Sequence, residues 1–420
     1  MDEFALGLTS NTQMGPTTHL SSDGLARLHD SLAAHVSAGL LPGLVTLVAS
    51  GDDVHVDPIG TPSFDDDTPL QRDAIFRIAS ITKPITAVAT MTLVEEGVLG
   101  LDEPIDELVP ELADRRVLRA IDAELDDTVP AARPITVEDL LSSRMGFGSV
   151  LAPPDSYPIQ RAEAEAGLQS IGGPPWPPVA HDVDSWIGAL GSLPLMHQPG
   201  EQWLYNTSAQ VLGVVLARAC GQHLESVLRE RIFEPLGMVD TGFTVPAEQL
   251  GRLTTLYRPD PETDELSVRD APAHSWWSTP PSFPDASGWL VSTIDDYWSF
   301  ASMMLAGGTA HGHGERILSP ESVALMTTDR MTSAQRKAAG VFLEEQGGWG
   351  LGLGVPGPGT EDHVLPRGIG WDGGTGTTWR SNLASGVTAM LFTQREVTSP
   401  APTPVREDFW VGVNAAITGG

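Results

Sequence analysis

Lysine is nearly missing from this chain of 420 residues: of its 24 basic residues only two, Lys83 and Lys337, are lysines. Acids outnumber bases, 55 to 24, for a net charge of −31. Such a chain lacks the basic face that nucleic acid or an anionic membrane requires, so neither is an expected partner. The single cysteine, Cys220, excludes an internal disulfide framework, and its apolar setting in VLGVVLARAC suits a packed thiol. No apolar run approaches the ~20 residues that span a bilayer. The opening MDEFALGLTSNTQMG has neither the basic segment nor the apolar core of a secretory signal, which predicts a cytoplasmic, soluble protein. Gly-x-Ser-x-Gly, a phosphate-binding loop and a dinucleotide fingerprint are also missing. HGHG (311–314) and HDVD (181–184) carry metal-ligand residue types without a third ligand in view, so no metal or cofactor is expected.

What is present is enough for a large core, with 41% hydrophobic residues. Leu25, Leu28, Leu32 and Val36 have helical spacing over residues 22–39 and stop at Gly39. LVTLVAS (44–50) and VHVDPIG (54–60) read as paired strands across Gly51-Asp52-Asp53. FRIASITKPITAVATMTLVEEG (76–97) reads as a buried amphipathic helix. Between 100 and 280 the chain is proline-rich, with irregular stretches at LAPPDSYP and IGGPPWPPVA and clearer helices at SAQVLGVVLARACG and HLESVLRERIF. A helix at 293–308 follows, then glycine-punctuated strands from 349 and a last helix, VREDFWVGVNAAI. Strands at both ends with helices between predict an α/β (α+β) fold: one antiparallel sheet flanked by helices, with an inserted, mainly helical lobe. The expected division is a discontinuous α/β body, 1–79 plus 283–420, and a lobe, 80–282. The cleft between them is the expected place for a site.

Lys83 is the anomaly in that helix. A lysine is costly among Ile81, Pro84, Ile85 and Val88, yet here the chain keeps one of its two. It stands three residues after Ser80, one turn away on the same helical face. Serine becomes a nucleophile when a base takes its proton. Apolar flanks and a first-turn position both disfavour the ammonium and so favour a lysine that can be that base. Arginine, effectively always protonated, could not serve. With 31 serines and two lysines, a Ser-x-x-Lys arises about 0.15 times by chance, and a snorkelling lysine is the bland alternative.

Further segments decide between these. FRIASITKPITA closely resembles the nucleophile segment of the serine β-lactamase and penicillin-binding-protein superfamily, most of all the class C β-lactamases and family VIII carboxylesterases. PITVEDLLSSRMGFG (134–148), QPGEQWLYNTSAQVLG (198–213), DASGWLVSTIDDYWSFASMML (285–305) and GIGWDGGTGTTW (368–379) are similar to its later motifs, in the expected order. The resemblance covers most of residues 25–395 and implies the β-lactamase-like fold and an acyl-enzyme serine hydrolase. Ser80 would be the nucleophile, with Lys83 and Tyr205 sharing the proton traffic. The backbone N–H groups of Ser80 and Gly374 would hold the oxyanion.

Two departures from the family pattern point to a substrate. Where the family often has asparagine two residues after the tyrosine, this chain has Thr207, flanked by Asn206. Where a Lys or His usually opens the third motif, it has Trp371, in Trp371-Asp372-Gly373. Tryptophan offers an apolar face and one N–H donor, which favours a small neutral ester over the anionic β-lactams and D-peptides, unless Arg367 or Arg380 enters the cleft. Trp371, Asp372, Gly373, Thr207 and Trp289 are the candidate substrate-binding residues. Trp176, Trp203, Trp276, Trp277 and Trp379 also stand near the motifs or in loops. Esterase, β-lactamase, D-amino-acid peptidase or amidase, and acyltransferase share this machinery, and a catalytically silent acyl-binding relative is the alternative from another class. Oligomeric state is not readable.

Overall fold

The computed structural model describes residues 18–150, 152–168, 181–312, 314–343, 347–359, 365–399 and 401–419. The opening 15 residues, Trp176 with its surrounding IGGPPWPPVA, Leu151 and His313, all singled out above, lie outside the described residues.

Helix α1 (Ser22–Ser37) starts where Ser21 Oγ accepts from Gly24 N at 3.2 Å, and Gly39, at φ +74°, turns the chain away. Strands β1 (Gly43–Ser50) and β2 (Asp53–Gly60) form the predicted hairpin, with Leu47 opposite Val56. The chain then enters helix α2 (Thr82–Glu95) and, much later, helices α3 (Thr207–Cys220) and α4 (Ile294–Leu305). Strands β3 (Gly347–Trp349), β4 (Gly354–Pro356), β5 (Ile369–Gly373), β6 (Thr377–Asn382) and β7 (Val387–Thr393) precede the final helix α5 (Pro404–Ala416).

The seven strands form one antiparallel sheet, in the order β3-β4-β5-β6-β7-β1-β2. The N-terminal hairpin thus joins the C-terminal strands through β7 and β1, with Phe392 opposite Val45. Strand β1 is interior to the sheet and wholly buried, which is why its sequence is apolar but for Thr46 and Ser50. Strand β2 is an edge, where Pro58 costs no ladder bond. Alternation divides β1 between two cores. Leu44 and Val48 pack with Leu28 and Leu32 of α1 and Phe409 and Val413 of α5; Val45, Leu47 and Ala49 face the larger core containing α2 and α4.

The helix expected over 76–97 is shorter and differently placed. Phe76 and Arg77 pair as a short strand with Val291 and Ser292, Ala79–Ile81 form a tight 3-10 turn, and the α-helix begins at Thr82. Nor is it amphipathic: every residue from Thr82 to Leu93 is buried. A helix packed on all sides has no solvent face to impose a period. Among the described residues no single helix is long and apolar enough to cross a membrane.

Candidate active site

The turn before α2 is held in an unusual conformation. Ala79, without being glycine, sits at φ +46°. Its neighbours are pinned by the β5–β6 turn: Thr375 Oγ1 donates to the Arg77 carbonyl, and Thr377 Oγ1 to that of Ile78 at 2.8 Å. Gly373 permits this approach, since a Cβ there would lie 2.5 Å from the Ile78 oxygen. The motif glycine therefore makes room for the nucleophile turn itself. From beneath, buried Arg77 pairs with buried Asp270 and donates to the Thr254 carbonyl.

This turn presents Ser80, with Lys83 Nζ 3.3 Å from its Oγ. Lys83, only 3% exposed, donates to Asn206 Oδ1 and to the Ser287 carbonyl, both at 2.8 Å. Its Nζ lies 4.3 Å from the centre of the Tyr205 ring. Burial lowers the ammonium from its ordinary value to about 7, with the charge of nearby Asp285 opposing the fall. A neutral amine has two hydrogens. With those directed at Asn206 and Ser287, its lone pair is left for the Ser80 hydroxyl.

Tyr205 Oη accepts from Trp371 Nε1 at 2.8 Å. Burial pushes its hydroxyl up to about 12, outweighing the downward pull of nearby Ser80 and Trp371. Burial thus acts on both groups alike, favouring their neutral forms. The ring stacks on Trp203 and Phe342, at 5.7 and 4.6 Å between centroids.

A cavity of about 230 Å³ opens onto Ser80, lined among others by Tyr205, Phe342, Trp371, Gly374 and Arg406. Of the expected substrate-binding residues, Trp371, Asp372 and Gly373 line it; Thr207 and Trp289 do not. Thr207 is buried at the start of α3, its Oγ1 without a partner among the described residues. Trp289 stacks on Trp277 at 4.7 Å inside the core. Among the described tryptophans Trp371 alone reaches the cavity wall. Asp372 binds Arg380 at 2.9 Å, Arg406 at 3.2 Å and Thr378 Oγ1 at 2.5 Å. Burial would raise its carboxyl, but the two arginines and these bonds together hold it below the ordinary range. Among the described residues no group of three or more His, Cys, Asp or Glu is placed to hold a metal.

The structure adds residues that were not singled out: Ser287, which contributes a carbonyl, and Asp285 behind it. Asn206, noted above only as the neighbour of Thr207, holds Lys83.

Comparison with known proteins places this geometry in context. Protein Rv1367c of Mycobacterium tuberculosis is 39% identical over 367 residues, spanning 85% of this chain and 86% of that one. Esterase EstB of Burkholderia gladioli is 29% identical over 374 residues, spanning 84% and 86%. Among solved structures, EstCE1, a hydrolase with promiscuous acyltransferase activity, shares the fold with a TM-score of 0.74 at 20% identity, covering 93% of this chain and 99% of its own. The family profile described as Beta-lactamase matches residues 29–407. The chain belongs to the β-lactamase family, within the serine hydrolases that include esterase EstB.

Proposed function

We propose that this chain is a carboxylesterase of small neutral acyl esters, acting through an acyl-enzyme on Ser80 like the family VIII carboxylesterases it resembles. The observation that carries the reading is a buried lysine, its ammonium lowered to about 7, whose Nζ stands 3.3 Å from Ser80 Oγ while bonded to Asn206 and Ser287. Ser80 Oγ bonds to the ester carbonyl carbon and its proton passes to Lys83. The backbone N–H groups of Ser80 and Gly374 receive the developing oxyanion. The carbon–alkoxide bond then breaks, and the alkoxide leaves as alcohol with a proton from Tyr205, which Lys83 replenishes. Tyr205, at about 12, suits the role of acid rather than base. Water repeats the sequence and frees the carboxylic acid.

The preference for a neutral ester rests on Trp371. Its one N–H is spent on Tyr205, so it meets substrate as an apolar wall. Arg406 lines the cavity but is tied to Asp372. A second reading, acyl transfer to an alcohol, is supported by the likeness to EstCE1 and uses the same acyl-enzyme with the alcohol in place of water.

Burst kinetics with p-nitrophenyl butyrate, wild type beside Ser80→Ala, test the reading, with intact mass taken on the quenched mixture. A stoichiometric burst and a butyryl adduct, both lost in the variant, are expected. Their absence rejects the esterase. Nitrocefin, a D-alanine amide and added alcohol then separate the family's other reactions.

A further inference from the structure

Asp285 lies behind the site, 1% exposed, at the head of the turn Asp285-Ala286-Ser287. Its Oδ1 accepts from Ser287 N at 2.7 Å and its Oδ2 from Gln210 Nε2 at 3.0 Å. Its main-chain oxygen accepts from Gly288 and Trp289, so the turn is closed on itself. Helix α2 grips the same turn at two points. Thr86 Oγ1 donates to the Ala286 carbonyl at 2.9 Å, and Lys83 Nζ to the Ser287 carbonyl at 2.8 Å. The relay therefore runs from Gln210 through Asp285 and Ser287 to Lys83, and no link in it reaches the cavity wall.

We propose that Asp285 is the positioning residue and fixed counter-charge of the Ser80–Lys83 pair. It aims the Ser287 carbonyl that turns the lysine lone pair toward Ser80, and it compensates the positive charge Lys83 acquires when Ser80 gives up its proton. The inference rests on the hydrolase reading for its mechanism, but not for its electrostatics. In the attack, Ser80 Oγ gains a bond to the acyl carbon and its proton becomes the third hydrogen of Lys83. The positive charge that Lys83 gains is then balanced by the Asp285 carboxylate, linked to it through Ser287. With Lys83 and Asp285 both buried, this saves the cost of an isolated buried ammonium.

The other charged and titratable groups around Lys83 do not offer this. Tyr205 faces it as a neutral ring. Asp372 acts on Tyr205 and is engaged by Arg380 and Arg406. Asp285 is the carboxylate whose charge opposes the desolvation of Lys83. Without it the lysine would be a weaker base, further from the pH at which it works.

Asp285→Asn isolates the charge. The amide oxygen can still accept from Ser287 N. The amide nitrogen can donate to Gln210 Oε1, which has no partner among the described residues. The chain also permits a direct readout, because Lys83 and Lys337 are its only lysines. Labelling lysine at 13Cε gives two titratable signals, and Lys337→Arg assigns them. In the wild type the Lys83 midpoint is expected near 7. In Asp285→Asn it should fall by roughly one pH unit or more, the usual size for losing an opposite charge nearby. The acid limb of kcat/KM should move with it while the plateau drops about tenfold or more. An unmoved midpoint overturns the proposal.

Asp285→Glu covers the case in which the asparagine variant does not fold. It keeps the charge but displaces the carboxylate, so turnover should fall while the midpoint stays within about half a unit. A midpoint that falls in the glutamate variant as far as in the asparagine one also overturns the proposal. The titration needs no turnover, so the two readings fail separately. A moved midpoint with no butyryl adduct rejects the esterase and retains the link. An adduct with an unmoved midpoint does the reverse.

Discussion

The two faces of the central sheet bury their residues equally and use the burial in opposite ways. Against α1 and α5 the sheet meets Leu28, Leu32, Phe409 and Val413 in a mainly apolar layer that includes the buried hydroxyl of Thr46. Against α2 the same degree of burial takes in Ser80, Lys83, Thr86, Tyr205, Asn206 and Asp285. On the first face, excluding water yields stability in proportion to apolar area. On the second it costs stability and shifts acid–base chemistry, pushing Lys83 down to about 7 and Tyr205 up to about 12. The apolar residues of the first face should therefore govern stability, and the polar groups set into the larger core on the second should govern turnover.

The largest expected effect is on the α2 face. Lys83→Arg keeps the charge but cannot release it, and should lower kcat/KM for p-nitrophenyl butyrate by more than about a thousandfold. Activity above a tenth of wild type would remove lysine from the base role. Next comes the opposite face. Phe409→Ala empties a fully buried site and should cost about 3–5 kcal/mol in a urea titration. The activity of the molecules still folded should stay within about twofold. A parallel loss of turnover would show the two faces to be coupled.

Lys83→Met tests the cost of chemistry directly. The folded lysine titrates at about 7 against an ordinary 10.5. Between those values the unfolded chain binds more protons, so wild-type stability rises with pH across that window. The penalty is fully present below about 7 and fades toward 10.5. By linkage it is about 5 kcal/mol at most. The methionine loses the bonds to Asn206 and Ser287, so a net gain of about 2 kcal/mol is expected at pH 5.5, shrinking by pH 9.5. A gain that does not shrink would assign it to packing alone.

The same contrast decides what was legible in the sequence. Helix α1 has a polar face and a serine cap, and β1 and β2 flank a turn, so local pattern and tertiary structure agree. Helix α2 has no polar face, and its start at Thr82 depends on Phe76 and Arg77 pairing with residues over 200 positions away. Ser80 and Lys83 stood out because lysine is so scarce, and Tyr205 through a shared motif. Asp285 reads as an ordinary turn aspartate, because bonding the amide two residues on is what turn aspartates do. Ser287 contributes a carbonyl, which every residue has. Trp371 was legible as an apolar replacement for a cation, but the destination of its N–H was not.

That destination gives the smallest effect and the finest test. Trp371→Phe keeps an apolar ring at the cavity wall and removes one hydrogen bond to Tyr205 Oη. A single neutral hydrogen bond is worth about 1 kcal/mol, so kcat should fall roughly five- to tenfold with KM little changed. The indole N–H stabilises the phenolate form, so its loss leaves Tyr205 a weaker acid for the departing alkoxide. The wild-type pH profile should be one-sided, rising through about 7 and flat through pH 10, because the tyrosine titrates at about 12. Trp371→Lys should instead pull Tyr205 down and bring an alkaline limb into view. If the phenylalanine variant changes KM and leaves kcat alone, the indole serves the substrate and not the tyrosine, and the division of labour between Lys83 as base and Tyr205 as acid loses its support.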